Sequence, residues 1–562
     1  MKKLFTALIA VVMTAALFAG CKGAGGNNGN SSEDTGPLAG VSAEIKNNLS
    51  ADGYVKGKIP DFSVYENTDS YRKVKTADEL ISALADAKIH YSNVWDDATS
   101  TYTQVPAEGY TQENFKGTVR VIEIENDLNL GYEKLSAAAK SSGIVEDFSR
   151  KTMSKHINDF NSDTVKENGI SQIKVENTSD LLVYSKSGAK LTHCGFKLTS
   201  DNNVVFRNLE FDEIWQWEDS PLTTASAVGD YDWHGWAYFK IAFCGYVWID
   251  HCTFGKSYDG QIDYSNPDYS ANAGVAFRAP YGADGGNGLH ISWCKFNAGS
   301  DDADGYIYKM MSAIESDYQS GGNGCLYYKA LRNGGATFED ILYGLAIPQK
   351  KGFLCGDSGD KYEYNLKLRV SFANCTFKNL EDRLPKLRGG NAYMYNCIVD
   401  NSQYYAYRSK LKALNVASLV AAVNSKWKCA LVSQGIVCGN GGSVRAENCI
   451  YSGIDTLLKN NDNNTAELVK GGYELVNCSY DRTGDGDVYV GSSSDAGNKF
   501  TNNNPNILSA ENFSWHTADG LAPFTVSAVS LDKLKDVLSA TAYGAGVNAS
   551  LGELYLKNSY SA

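Results

Sequence analysis

The sequence predicts an all-β chain wound as a parallel β-helix, a solenoid whose coils carry inserted helical segments. Three observations lead there. A short pattern recurs along the chain: apolar, any residue, Asn or a substitute, Cys, any residue, aromatic. Its closest interval, from Cys375 to Cys397, is 22 residues, the length of one coil of short strands and sharp turns. Finally, 54 Gly and 35 Tyr against only 10 Pro in 562 residues describe a β-rich, aromatic-rich protein. With no second break in composition, one elongated repeat fits better than several small globules.

The first element is not part of that fold. Lys2 and Lys3 precede a mostly apolar run from Leu4 to Phe18, too short and wrongly flanked to span a membrane. Ala19-Gly20-Cys21 closes it. Residues 1–20 therefore read as a secretion signal that resembles a bacterial lipobox, with Phe18 where Leu is usual and Leu17 one place earlier. Cys21 would become the lipidated first residue of an exported lipoprotein of the cell envelope or cell surface. Residues 21–40 are rich in Gly, Asn and Ser and read as a flexible tether. Residues 41–562 form the coil domain. The lipid is the only membrane attachment expected, and the chain is expected to be monomeric.

The repeat itself appears as Asn208-Leu209-Glu210-Phe211, His251-Cys252-Thr253-Phe254 and Trp293-Cys294-Lys295-Phe296. It continues as Asn374-Cys375-Thr376-Phe377, Asn396-Cys397-Ile398-Val399, Asn448-Cys449-Ile450-Tyr451 and Asn477-Cys478-Ser479-Tyr480. In a solenoid, like residues stack in columns. Asn suits a tight turn with unusual backbone angles and can bond from rung to rung. The Cys column becomes a stack of small buried side chains, and the aromatic column fills the interior beside it. Twelve cysteines after Cys21 in an exported chain would ordinarily suggest disulfides. A column of this kind instead predicts mostly free thiols.

Three insertions interrupt the repeat, near 265–288, 298–348 and 403–435. The first is a Gly-, Asn- and Ala-rich loop. In the second, Tyr306, Met310, Ala313, Ile314 and Tyr318 recur at helical spacing, and Phe338, Ile341 and Leu342 predict another helix. In the third, Leu411, Leu414, Ala417, Leu419 and Val423 do the same. Their apolar stripes are expected to pack against the coil and build the walls of a groove.

The formal net charge is −13, with 65 acidic and 52 basic residues; loss of Lys2 and Lys3 leaves 50 basic residues and −15. An acidic chain is a poor general trap for polyanions, so nucleic acid is excluded as a partner. An anionic substrate would need a local basic cluster and a metal cation.

One motif supplies the cluster. Asp382-Arg383-Leu384-Pro385-Lys386-Leu387-Arg388-Gly389-Gly390 sets two arginines five apart around a proline, between two strand-like stretches. The spacing Arg-x-Pro-x-x-Arg-x-Gly resembles the signature of the pectate lyase family. Val247-Trp248-Ile249-Asp250-His251, followed by Asp259-Gly260-Gln261-Ile262-Asp263, resembles that family's Trp-Ile-Asp-His strand and its Asp-Gly-x-x-Asp segment. Lys350-Lys351-Gly352-Phe353-Leu354-Cys355-Gly356-Asp357-Ser358 resembles its lysine-led strand, reached here after a longer interval than is usual. Tyr71 to Asp86, Val119 to Asn129, Asn203 to Phe211 and Gly441 to Tyr451 resemble further rungs, so the likeness covers most of residues 70–490.

The resemblance implies a right-handed coil and a Ca²⁺ ion held by Asp250, Asp259 and Asp263. Elementary chemistry agrees in part. Asp259 and Asp263 are an even number of residues apart and face one side of a strand. Carboxylates without His or Cys partners suit a hard cation. Asp250, from the strand before the preceding turn, is expected to approach the same point. His251 falls in the Asn column and reads as structural rather than as a base. By resemblance Lys351 binds a substrate carboxylate, Arg388 positions one through its planar fork, and Arg383 removes the C5 proton; a water guided by Arg383 is the other candidate base. Lys309, on a predicted helix, is a weaker alternative to Lys351.

The implied activity is Ca²⁺-dependent β-elimination on polygalacturonate, giving 4,5-unsaturated oligogalacturonides. Two alternatives stay open at this stage. One is a pectin lyase acting on methyl-esterified chains, a group that dispenses with Ca²⁺. The other is a non-catalytic, tethered β-helix that binds glycan or adheres.

Overall fold

The computed structural model describes residues 37–97, 101–149, 167–217, 235–266, 287–323, 325–349, 351–356, 368–423, 431–460, 471–497 and 527–560, with a few single residues between. The signal segment and Cys21, and positions 267–286 of the first insertion, lie outside the described residues.

Three long, almost wholly parallel sheets of ten, nine and ten strands run the length of a coil. Each coil adds one strand to the second sheet, then one to the first, then one to the third. In one rung these are Cys194–Thr199, Asn202–Arg207 and Glu210–Asp212; in the next, Phe239–Ala242, Tyr246–Asp250 and Thr253–Phe254. An unforeseen antiparallel hairpin, Tyr91–Asp96 with Thr101–Pro106, is the one sheet outside the coil among the described residues.

The repeat marks the corner between the first and third sheets. Asn208, His251, Trp293, Asn374, Asn396, Asn448 and Asn477 all have φ between 46° and 56° there. This is the left-handed region that Asn tolerates best among residues with a Cβ. Asn448 donates its amide to Oδ1 of Asn396 at 2.7 Å, and Asn477 donates to Asn448 at 3.0 Å. Where the column holds rings instead, His251 stacks on Trp293 at 5.8 Å between centroids. All twelve cysteines after Cys21 are free. The backbone N–H groups of Cys252 and Cys375 donate to the sulfur of the next rung, each at 3.4 Å. Beside them Phe211, Phe254, Phe296 and Phe377 stack in turn, at 5.3, 5.0 and 4.4 Å. These columns fill one continuous core.

Two segments cover the outer face of the first sheet. Leu49, Val55 and Phe62 from the N-terminal side and Leu534, Leu551 and Tyr555 from the C-terminal side bury Val205, Trp248 and Trp293. The helical insertions emerge between third- and second-sheet strands. Tyr306–Gln319, Leu326–Asn333 and Phe338–Ile341 come from the second, and Ser402–Ala413 and Val416–Val423 from the third. They share a separate apolar core that includes Trp215, Trp217, Met311, Tyr328, Leu411 and Val420.

Candidate active site

The site grows from three consecutive coils where they pass into the second sheet. The earliest contributes the turn from Gly255 to Gln261. Ser257 Oγ donates to the carbonyl of Gly260 at 2.8 Å, and the Gln261 amide donates to the carbonyl of Gly255 at 2.8 Å. Trp236 and Tyr258 meet edge to face behind it, and the Asp259 N–H donates to the Trp236 carbonyl at 3.2 Å. The turn leads into Ile262–Tyr264, whose alternation buries Ile262 and Tyr264 and turns Asp263 outward.

The next coil brings Lys351, whose N–H donates to the Asp259 carbonyl at 3.2 Å. The coil after it brings Arg383. Its backbone has φ of 67°, rare for a side chain of this size. Three bonds hold it there. Its N–H donates to Oδ1 of Asp382 at 2.7 Å, its carbonyl accepts from Phe353 at 2.8 Å, and Leu384 N–H donates to Gly435 at 3.0 Å. Gly352 must lack a side chain, because a Cβ there would lie 2.5 Å from the Arg383 carbonyl oxygen. An unusual backbone so heavily determined is a mark of functional sites.

These coils bring four of the predicted residues together. Lys351 Nζ lies 3.1 Å from Oδ1 of Asp259. Arg383 lies 3.2 Å from Oδ1 of Asp263 through Nη1 and 3.8 Å from Oδ1 of Asp259 through Nη2. The Arg383 side chain is only 8% exposed, while Asp259 and Asp263 keep 21% and 23%, so the carboxylates open to solvent and the guanidinium is packed behind them. Burial pushes the Asp263 carboxyl above its ordinary range; Arg383 pulls it back, Asp259 adds to the rise, and Lys240 and Lys351 oppose it. Arg388 stands on the strand Lys386–Arg388, two residues from Lys386 and on the same outward face. Burial lowers the proton affinity of Lys386; Asp382 opposes this, and Arg388, Arg383 and Lys351 reinforce it. The cations of the site are thus close enough to act on one another.

Asp250 is not among them. It ends a first-sheet strand and is fully buried beneath the C-terminal segment. Its oxygens are taken by Arg207 Nε at 2.8 Å, His251 Nδ1 at 2.9 Å and Ser292 Oγ at 2.5 Å. Burial alone would raise its pKa, but His251, Arg207 and Ser292 hold it down at about 2. The expectation failed because the chain turns two corners between Asp250 and Asp259, passing through the third sheet on the way. Asp250 instead anchors Arg207, whose Nη1 donates to the carbonyls of Tyr555 and Lys557. His251 is structural, as expected. Lys309 is exposed on its helix and faces Glu213 rather than this cluster.

The fit to a divalent cation is therefore narrower than the sequence implied. Among the described residues no group of three His, Cys, Asp or Glu side chains is placed to hold a metal ion. Asp259 and Asp263 are two outward carboxylates beside one another, a donor set of the kind a hard cation takes when substrate and water supply the remaining oxygens. Residues 218–234, which lead into this part of the second sheet, lie outside the described residues. Sequence reasoning missed Gly260, where a Cβ would lie 2.8 Å from Oδ1 of Asp263 and 3.0 Å from Nη1 of Arg383. It also missed Lys386, although Lys386 sits inside the arginine motif.

A family model described as pectate lyase matches residues 332–436, the span that carries Lys351, Arg383 and Arg388. The chain is 28% identical over 398 residues to pectate lyase B of Paenibacillus amylolyticus, covering 70% of this chain and 91% of that protein. It is 30% identical over 125 residues to a pectate trisaccharide-lyase of Thermotoga maritima, covering 22% of this chain and 26% of that one. The solved structure of a pectate lyase from Paenibacillus sp. 0602 superposes with a TM-score of 0.72 at 27% identity, over 92% of this chain and all of that one.

Proposed function

Starting from a chain that belongs to the pectate lyase family and is therefore a polysaccharide lyase, we propose that it cleaves polygalacturonate by Ca²⁺-dependent β-elimination. The observation that carries this reading is the convergence of Lys351 and Arg383 on the Asp259 and Asp263 carboxylates at an outward face of the coil. Asp259 and Asp263 would hold the cation, which when bound neutralises substrate carboxylate and makes the neighbouring C5 proton more acidic.

The chain's own side chains do the rest. Lys351 pairs with the carboxylate of the sugar being cut and disperses the negative charge that grows on it as the proton leaves. Arg388 presents its planar fork to a carboxylate and fixes the ring. Arg383, confined by its backbone and by the packed coils behind it, approaches C5 and orients the water that takes the proton; to take it directly the guanidinium would first have to give up a proton of its own. The C4–O4 bond then breaks, the electron pair leaves with O4, and the new end carries the 4,5-double bond. Lys386, on the same outward face as Arg388, is ion-paired with Asp382 at 3.5 Å and adds positive charge to the face. A face holding Lys351, Arg383, Lys386 and Arg388 favours ionised over methyl-esterified chains.

The test is ultraviolet absorbance of the unsaturated uronide, with polygalacturonate and with its methyl ester, each with and without a chelator. Activity on polygalacturonate that chelation abolishes is expected. Chelator-resistant activity on the ester alone would replace this reading with that of a pectin lyase. We further propose export and lipid anchoring through Cys21, with the protein acting as a monomer. Cys21→Ser should leave the protein unlipidated and free of the membrane; a processed, membrane-bound Cys21→Ser protein would contradict the lipobox reading.

A further inference from the structure

The outer face of the second sheet carries a column of residues in register across successive rungs. From Lys197 it passes to Lys240, Asp263, the buried Leu354 and Lys386, then to the fully buried Val437 and to Lys459. Neighbouring strands lie about 4.8 Å apart, so the column runs for roughly 29 Å with the site near its middle. A 1,4-linked pyranose advances its chain by a distance of the same order as one such step.

Like charges placed directly opposite across strands are destabilising, and elsewhere the coil avoids them. On the third sheet Lys190 stands opposite Glu210, with an ion pair of 3.0 Å. On the first sheet Arg445 stands opposite Glu474 at 2.7 Å. On the second sheet Lys174, Lys197 and Lys240 are stacked directly, in a chain whose total charge is negative. The end of that stack is relieved: Lys174 pairs with Glu146 at 2.8 Å, and Lys240 Nζ lies 5.0 Å from the Phe148 ring centre. Lys197 has no ion-pair or hydrogen-bond partner among the described residues. Buried alternate residues such as Phe196, Leu198, Phe239 and Ile241 fix which way these lysines face.

We propose that this column extends the substrate groove: Lys240 and Lys197 on one side of Asp263 bind carboxylates of a polyanionic chain laid across the strands, with Lys351 and Arg388 of the site on the other. The polymer is then held on both sides of the cut and broken away from its ends. This inference rests on the pectate reading of the site.

The test compares the full-length chain with a Lys197→Gln, Lys240→Gln double variant and a Lys→Arg pair at the same positions. The ratio of kcat/KM on polygalacturonate to that on trigalacturonate should fall by about tenfold in the Gln variant, as expected for two lost charge contacts. Hexagalacturonate affinity, read by calorimetry, should fall with it, and the Arg pair should restore both. An unchanged ratio with unchanged hexamer affinity overturns the proposal. If the wild-type chain makes no unsaturated product at all, the functional reading fails. Calorimetry then still decides the column: lysine-dependent hexamer binding supports it, and lysine-independent binding or none refutes it.

Discussion

Gly260→Ala is the smallest perturbation that reaches the site. The backbone there is outside the left-handed region, so alanine is allowed locally. Its methyl group, however, would stand 2.8 Å from Oδ1 of Asp263 and 3.0 Å from Nη1 of Arg383, where ordinary contact begins at 3.4 Å. The carboxylate must retreat by about 0.6 Å and the guanidinium by about 0.4 Å, both at the tips of side chains that can give. The fold should absorb this, since losing a glycine stiffens the unfolded chain by about 0.4–1 kcal/mol in favour of the native state. Catalysis should not. A displacement of about 1 Å at a reacting centre can cost about 10²-fold, so half of that is expected to lower kcat by roughly tenfold. The Ca²⁺ concentration for half-maximal rate should rise as well, because Asp263 moves.

The assay is initial rate by ultraviolet absorbance at saturating polygalacturonate over a Ca²⁺ series, with a thermal melt by circular dichroism on the same preparation. A folded Gly260→Ala protein with wild-type kcat and wild-type Ca²⁺ requirement would refute the claim that Asp263 and Arg383 act as a pair at this position.

Arg383→Lys keeps the charge but loses the planar fork; turnover should fall by about 10²-fold or more while oligogalacturonate binding, read by calorimetry, persists through Lys351 and Arg388. Asp259→Asn and Asp263→Asn should each raise the Ca²⁺ needed for activity with the melt retained; wild-type response at limiting Ca²⁺ in both would remove the cation from these residues. Asp250 should behave differently. Its pKa of about 2 against an ordinary 3.8 means the carboxylate is favoured by folding, worth on the order of 2 kcal/mol. Because the folded value is the depressed one, this stability is complete above about pH 3.8 and is lost as the pH falls through about 2. Asp250→Asn, which leaves Arg207 buried without its counter-charge, should cost about 3–5 kcal/mol in a denaturant melt and leave the Ca²⁺ requirement of the folded protein alone; a shifted Ca²⁺ requirement with no loss of stability would reverse the assignment.

Local chemistry was legible in the sequence where a residue's own preference decides its place. The Asn-Cys-x-aromatic corners follow from left-handed backbone, small buried sulfur and stacked rings, and each corner carries that information itself. The helical insertions were readable from their periodicity, but their shared core with Trp215 and Trp217 was not, because those tryptophans leave no periodic signal. Arg383 and Lys351 were found through motifs, whose proline and glycine offsets encode the turn and the close approach at Gly352. Asp250 was misplaced because nearness along the chain is a poor guide in a solenoid: nine residues to Asp259 cross two corners. The lysine column was invisible for the converse reason. Lys197 and Lys240 are 43 residues apart, and only the folded register, set by the lengths of the intervening loops, makes them neighbours.

The site's charges also bear on one another in a way that neither motif discloses. Asp259 and Asp263 are the residues that would hold a cation, and they are also the partners of Lys351 and Arg383. Two adjacent outward carboxylates repel unless positive charge stands between them, and here the protein's own side chains supply it. A divalent cation taking those oxygens competes with Lys351 and Arg383 for the same atoms. On the proposed reading, the two side chains would then be left to meet substrate carboxylates at the same face. In that arrangement an acidic chain could bind a polyanion: Lys351 and Arg383 stand at one outward face of the second sheet, partnered by Asp259 and Asp263, and a cation bound there with substrate would take over those partners. The packed coils behind Arg383 limit where its guanidinium can go, which is why a single methyl group at Gly260, 3.0 Å from Nη1 of Arg383, is expected to matter more to turnover than to stability.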